Sequence, residues 1–189
     1  SAEEWILGRE TRRRPPGFTT PAANASYALA AIGAPAVQQL IHALDTATVP
    51  ERDLTIQVLS DMGIQGEEAI PTLAEALADP APAIRAQAAE GLGQVAQRAT
   101  KPLPSLTGAL QDTDETVRRN AALSLGKLAA NSADSVPDLE RRIQDPNRYV
   151  VANAFEALDR IGTPEAHGAL IKHLKTARWC PITVPGSPY

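Results

Sequence analysis

Apolar residues recur along this chain at intervals of thirty-three positions. One series is Leu59, Leu92, Leu125 and Leu158, and each member comes three residues before a second apolar residue. Other series share the period and the phase: Ile70, Leu103 and Val136; Leu73, Leu106 and Leu139; Leu77, Leu110 and Ile143; and the acidic series Asp79, Asp112 and Asp145. Such a period is typical of a solenoid, in which each unit buries its apolar face against its neighbours. Solenoids usually bind other molecules along an extended surface, so the pattern disfavours an enzyme.

Within one unit the apolar positions predict two helices. Ile84, Ala88, Leu92 and Val95 follow the i, i+4, i+8 and i+11 spacing of one helical face. A break containing proline follows, and a second apolar stripe then covers residues 103–110. Proline is tolerated in the first turn of a helix, where its missing N–H would have no partner. Each unit is therefore predicted to be a helical pair.

The fold predicted from this pattern is all-α: a right-handed α-solenoid of about five antiparallel helical pairs. The pairs are expected at residues 22–45, 50–79, 82–112, 114–145 and 147–175. The solenoid domain thus covers residues 22–175. An N-terminal extension and linker (1–21) precedes it, and an extended tail with three prolines (176–189) follows it.

Turn residues also repeat. Gly33, Gly63 and Gly162 fall where the first helix of a pair must end, at a position that favours left-handed backbone. Ala96 and Ala129 stand there in two other units, so those turns should close differently. Aspartate or asparagine residues between units can accept hydrogen bonds from the free N–H groups of the following helix.

Composition narrows the class of protein. Apolar residues make up 43% but aromatic residues only 4%, which fits closely packed helices rather than a sheet. The net charge of −4 does not favour nucleic acid as a ligand. The sequence contains one cysteine and lacks an apolar run long enough for a membrane span or a signal peptide, so we expect a cytoplasmic protein without membrane insertion.

A short motif recurs between neighbouring units. Residues 84–93 read Ile-Arg-Ala-Gln-Ala-Ala-Glu-Gly-Leu-Gly, and residues 117–126 read Val-Arg-Arg-Asn-Ala-Ala-Leu-Ser-Leu-Gly. The motif resembles the HEAT-like repeat of the phycobilisome lyase family, which occurs in bilin lyases and in many bacterial proteins. The resemblance covers residues 22–175 and concerns the residues that build the stack.

The resemblance also implies a set of ion pairs. In that family the aspartate that closes one unit commonly bonds the arginine that opens the next. Here this would join Asp79 to Arg85 and Asp112 to Arg118. Thr55 and Val151 would replace the arginine in the second and last units, which would limit the ion pairs to the middle of the array.

Candidate catalytic groups are few. His42 lies in the first unit, and His167 and His173 lie in the last, six residues apart, which is not the i, i+4 spacing of a helical zinc site. The sequence lacks Cys-x-x-Cys, Gly-x-Ser-x-Gly and phosphate-binding glycine loops. We therefore expect no catalytic, metal or cofactor site and no enzymatic activity.

The predicted function is that of a non-catalytic scaffold, assembly or adaptor factor that binds a protein partner. The second helices should line a concave groove, in which His42, Glu75, Arg141 and Lys172 occupy equivalent positions and run from an acidic to a basic end. The alternative, implied by the resemblance, is a bilin lyase-like or chromophore-handling factor.

The tail adds a second candidate partner site, formed by Trp179, Cys180 and Tyr189. It either covers the exposed end of the last helical pair or inserts into a partner. Cys180 is accordingly either a small buried apolar group or an accessible thiol.

Overall fold

The computed structural model describes residues 28–29, 32–44, 47–61, 68–96 and 104–176. The regular elements of this part are α-helices joined by short turns. Their bounds are α1 Ala34–Leu44, α2 Val49–Asp61, α3 Ile70–Ala76, α4 Pro82–Val95, α5 Pro104–Ala109, α6 Glu115–Leu128, α7 Val136–Arg142, α8 Arg148–Ile161 and α9 Pro164–Thr176. A 3-10 helix, Ala129–Ser135, leads into α7. The prediction of an all-α solenoid is confirmed.

Long and short helices alternate from α2 to α8. The first helices of the described pairs, α2, α4, α6 and α8, have 13 or 14 residues. The second helices α3, α5 and α7 have only six or seven. Proline occupies the first turn of all three of these short helices, as the sequence predicts. The predicted N-terminal extension lies outside the described residues, as do residues 177–189 of the predicted tail.

The recurring leucines form the core. Leu59, Leu92, Leu125 and Leu158 are buried on the first helices, and Leu73, Leu106 and Leu139 are buried on the second helices. One apolar cluster connects them from Ala36 to Ala169. Each unit therefore shares its core with the next, which is the packing expected of a solenoid.

Adjacent first helices approach closely at pairs of small residues 31 positions apart. A Cβ atom placed on Gly93 would lie 2.8 Å from Cα of Ser124, and one on Gly126 would lie 3.1 Å from Cα of Ala157. One on Gly91 would lie 3.0 Å from Cβ of Ser60. Each contact between long helices in the middle of the array thus has a glycine on one side.

Two of the three predicted glycine turns lie within the described residues, and both are confirmed. Gly33 has φ 79° and Gly162 has φ 66°, whereas Gly63 lies outside the described residues. Ala129 also has a positive φ, 49° with ψ −125°, while Ala96 has φ −91°. The two alanine turns therefore do close differently, and Ala129 adopts backbone that glycine would favour.

Polar side chains begin the later first helices. Asp114 accepts hydrogen bonds from the backbone N–H groups of Thr116 and Val117, and Asn147 accepts them from Tyr149 and Val150. These are the N-cap interactions expected from the sequence. Of the helices in the described ranges, none is long and apolar enough to cross a membrane.

Candidate functional site

Three arginines and three aspartates form a ladder along the described units. Nε of Arg52 lies 3.1 Å from Oδ2 of Asp79, Nε of Arg85 lies 2.7 Å from Asp112, and Nε of Arg118 lies 2.8 Å from Asp145. The other carboxylate oxygen of Asp112 accepts a hydrogen bond from Nη2 of Arg85 at 2.8 Å. The other oxygen of Asp145 likewise accepts one from Nη2 of Arg118 at 3.0 Å. These pairs are bidentate, the stronger geometry for an arginine and a carboxylate.

The ladder corrects the pairing that the resemblance implied. The carboxylate bound to each arginine closes the same unit, 27 residues later, rather than the preceding unit. The two helices of a pair are antiparallel, so the end of the second helix returns beside the start of the first. The aspartate of the preceding unit contributes only its backbone carbonyl. The carbonyl of Asp79 accepts a hydrogen bond from Nη1 of Arg85, and the carbonyl of Asp112 accepts one from Nη1 of Arg118, both at 2.9 Å.

The extent of the ladder also differs from the expectation. Arg52 is its member in the second unit, since residue 52 precedes residue 85 by thirty-three positions. Thr55, which was expected at this position, instead donates its hydroxyl to the carbonyl of Glu51. The ladder therefore reaches one unit further towards the N-terminus than predicted.

Charge and hydrogen bonding shift the pKa values of two ladder pairs, Arg85–Asp112 and Arg118–Asp145. The hydrogen bond from Arg85 lowers the pKa of Asp112, and the same bond raises the pKa of Arg85. Burial acts to raise the pKa of Asp145, but hydrogen bonds from Arg118 and the Asn147 N–H, with the charges of Arg118 and Arg142, lower it below its usual range. The carboxylates of Asp112 and Asp145 are thus stabilised in their charged form.

The ladder arginines have little capacity left for a ligand. Arg118 uses Nε and Nη2 for Asp145 and Nη1 for the carbonyls of Asp112 and Thr113. Its side chain is only 10% exposed. These contacts support a structural role for the ladder.

The predicted groove residues lie on the second helices and on α1. We call their exposed side the second-helix surface, which comprises His42 on α1, Glu75 on α3, Gly108 on α5, Arg141 on α7 and Lys172 on α9. All five residues are exposed. Trp179, Cys180 and Tyr189, the other predicted partner residues, lie outside the described residues.

Acidic residues accompany both cations of this surface. Nη1 of Arg141 lies 3.1 Å from Oδ1 of Asp138, and Nζ of Lys172 lies 2.7 Å from Oε1 of Glu140 on the preceding second helix. The arginine and lysine side chains remain 60% and 73% exposed. Sequence reasoning missed both acids, although the spacing of Asp138 and Arg141 by three residues on one helix could have indicated that pair.

Further hydrogen bonds join neighbouring units on the same side. Nε2 of Gln38 donates to Glu68 at 2.9 Å, the hydroxyls of Thr107 and Ser135 lie 2.6 Å apart, and Gln111 donates to Asp138 at 3.2 Å. The second helices are thus held to one another by polar side chains. The result is an ordered, polar surface with charged groups accessible to solvent.

The described residues show no group of three or more metal-binding side chains. His173 packs edge-on against Phe155, with ring centroids 4.9 Å apart. A shallow, open depression lies beside Gly126, Asn153 and Arg160, and it has too little internal space to hold a small molecule.

Comparison with known families and structures agrees with this architecture. The HEAT-repeat family profile matches residues 37–125 and 103–179, and that of the PBS lyase HEAT-like repeat matches residues 21–46. A search of curated proteins finds no significant match.

Solved structures resemble the chain as well. A chain from the complex of CpcE and CpcF of phycocyanin lyase from Nostoc sp. PCC7120 is 26% identical, with a TM-score of 0.62 over 75% of this chain and 92% of that one. A designed armadillo repeat protein in complex with the peptide (KR)4 is 15% identical, with a TM-score of 0.57 over 88% of this chain and 90% of that one. An engineered protein is 17% identical, with a TM-score of 0.57 over 84% and 82%.

Proposed function

Because the chain belongs to the HEAT-repeat family, we propose that it is a non-catalytic scaffold or adaptor that binds a protein partner on its second-helix surface. The similar phycocyanin lyase chain comes from a complex of two proteins, CpcE and CpcF. The likeness covers 92% of that chain and 75% of this one, so it extends over most of the repeat array.

The observation that carries the proposal is the difference in exposure between two sets of cations. Each nitrogen of the ladder guanidinium groups hydrogen-bonds within the framework, and the arginine side chains are only 10 to 27% exposed. Arg141 and Lys172 remain 60% and 73% exposed on neighbouring second helices. A partner carboxylate can approach these two cations without breaking the framework, and the electrostatic attraction would favour an acidic segment.

The opposite end of the surface has acidic residues at Glu68 and Glu75, both exposed. A partner that lies along the whole surface would therefore present acidic groups towards α7 and α9 and basic groups towards α3. Such complementarity fixes the orientation of a bound segment and raises its association rate.

The test is a charge reversal in two places. The partner is first identified by affinity capture with crosslinking, and its affinity is then measured for Arg141→Glu/Lys172→Glu and for the control Arg148→Glu/Arg160→Glu on α8. Arg160 is also an exposed, paired cation, 2.6 Å from Glu156. We expect the first variant to weaken binding at least tenfold and the control to bind as the wild type does. Equal effects of both variants would contradict the proposed site.

A second candidate function is the handling of a bilin, favoured by the likeness to a phycocyanin lyase chain. Incubation of the purified protein with a bilin and an acceptor protein tests it. A shifted visible absorption band or transfer to the acceptor would support this function, and the lack of both would exclude it.

A further inference from the structure

Four charged side chains meet between the neighbouring second helices α7 and α9. Arg141 pairs with Asp138 on its own helix, with Nη1 and Oδ1 3.1 Å apart. Lys172 of α9 pairs with Glu140 of α7, with Nζ and Oε1 2.7 Å apart. We call these four residues the α7–α9 charge cluster. Their formal charges cancel, so the proposed partner site is more than a simple basic patch.

The two signs of charge differ in their access to solvent. The side chains of Arg141 and Lys172 are 60% and 73% exposed, whereas those of Asp138 and Glu140 are 18% and 35% exposed. Asp138 is also held from α5, because Nε2 of Gln111 donates a hydrogen bond to its Oδ1 at 3.2 Å. A molecule that approaches the cluster from solvent therefore meets mainly the two cations, and the carboxylates lie behind them.

We infer that Asp138 and Glu140 set the affinity and the selectivity of this site for its partner. The inference rests on the proposed function, in which an acidic segment binds Arg141 and Lys172. That segment must share each cation with a carboxylate that the protein itself supplies. The two acids are therefore internal competitors of the partner, and repulsive groups of this kind are a common source of specificity.

The competition follows from the contacts within the cluster. A partner carboxylate that contacts Arg141 or Lys172 also comes close to Asp138 or Glu140, because each acid contacts the same cation. At physiological ionic strength salt screens charges only over about 8 Å, so the carboxylates repel one another at this separation. An exposed pair of one carboxylate and one cation contributes little by itself. A partner with an isolated acidic residue should thus bind poorly.

A segment with adjacent acidic residues is better suited to the cluster. Arg141 and Lys172 both contact carboxylates of α7, so the two cations lie close to each other. Once one carboxylate of the segment contacts the first cation, the next one meets the second cation at a high effective concentration. The site therefore selects a partner whose acidic residues are clustered.

The alternative role for the two acids is positioning. An acid that holds a flexible cation in place reduces the entropy that is lost when a partner binds. Asp138→Asn/Glu140→Gln, the neutralised variant, separates the two roles. Asparagine and glutamine keep a side-chain oxygen, so Gln111 and Lys172 retain an acceptor while both negative charges are lost. Competition predicts tighter binding of an acidic segment by this variant, and positioning predicts weaker binding.

The probe is a short rhodamine-labelled peptide with two pairs of adjacent glutamates, and fluorescence anisotropy measures its binding. We expect the neutralised variant to bind it about fivefold more tightly than the wild type at about 50 mM salt, and this gain should vanish near about 1 M salt. A second peptide, in which glycine and serine separate the same number of glutamates, should bind the wild type about fivefold more weakly.

The matched control is Glu156→Gln/Asp159→Asn on α8. Both residues are exposed, and Glu156 is also ion-paired, with Arg160. The control removes two negative charges outside the cluster and should bind the clustered peptide as the wild type does. Circular dichroism shows whether each variant keeps its helices.

Unchanged or weaker binding by the neutralised variant, an equal gain in the α8 control, or equal binding of the two peptides would overturn the inference. Arg141→Glu/Lys172→Glu tests the proposed function separately, since it should lower the affinity for the clustered peptide at least tenfold. If this variant binds as the wild type does, the proposed site itself is wrong. If it loses binding while the neutralised variant gains none, only the role of the two acids is refuted.

Discussion

Arg118 and Asp145 are 27 residues apart in sequence and are joined by two hydrogen bonds, of 2.8 and 3.0 Å. The aspartate side chain has no exposed surface, and its Oδ1 also accepts from the backbone N–H of Asn147 at 3.0 Å. The carboxylate of Asp145 therefore holds Arg118 at the start of the first helix of the same unit and also holds the turn into the next unit.

Removing the charge of Asp145 should destabilise the fold. Asp145→Asn can keep the hydrogen bond from Asn147 but leaves Arg118 without its carboxylate, so we expect unfolding to become easier by about 3 kcal/mol. Asp79→Asn should cost about 1 kcal/mol, because the side chain of its partner Arg52 is 27% exposed. Urea denaturation measures the loss of unfolding free energy in each variant. Equal losses in the two variants would show that burial does not determine how much each ladder pair stabilises the fold.

The ladder should also make stability depend on pH. The pKa values of Asp112 and Asp145 are lowered in the folded protein, so their contribution is complete above the unfolded value of about 3.9 and is lost as the pH falls through the folded values. The difference in unfolding free energy between wild type and Asp145→Asn should therefore be constant from pH 7 to pH 5. It should shrink below about pH 4; a difference that persists at low pH would contradict this linkage.

The close contact between α4 and α6 should not accept a methyl group. Gly93→Ala would place a Cβ atom 2.8 Å from Cα of Ser124, so the helices must separate, at a cost of about 1 to 3 kcal/mol. Gly108→Ala is the matched control, because the added carbon has no atom within 4 Å apart from its chain neighbours and the backbone of its own helix. That change should stabilise α5 by about 0.5 to 1 kcal/mol. Thermal unfolding of the two variants should shift in opposite directions.

Ala129 should be improved by glycine. Its φ of 49° is unfavourable for a residue with a side chain. Ala129→Gly is expected to raise the unfolding free energy by about 1 kcal/mol, whereas Ala130→Gly, at an exposed neighbour, should lower it. If Ala129→Gly lowers the unfolding free energy instead, the positive φ of residue 129 does not strain the folded protein.

Much of the fold could be predicted because its signals are local and periodic. The buried leucines and the turns at Gly33 and Gly162 follow from spacing along the chain. The partners of Arg85 and Lys172 could not be predicted in this way, because they depend on where antiparallel helices return and on how neighbouring units are offset. The residues expected to contact a partner from the tail lie outside the described part of the chain, so that hypothesis stays a prediction.

The glycine contacts between long helices also constrain how such an array can change in length. Ser60 faces Gly91, Gly93 faces Ser124, and Gly126 faces Ala157, so each junction matches a small residue with a glycine of the adjacent unit. Loss of the third unit would bring Ser60 against Ser124, where the helices have no room for two side chains. Loss of the fourth would bring Gly93 against Ala157, a combination equivalent to one already present. Although the sequences of the units are similar, the units therefore have a fixed order, and we expect a deletion to be tolerated at one junction but not at another.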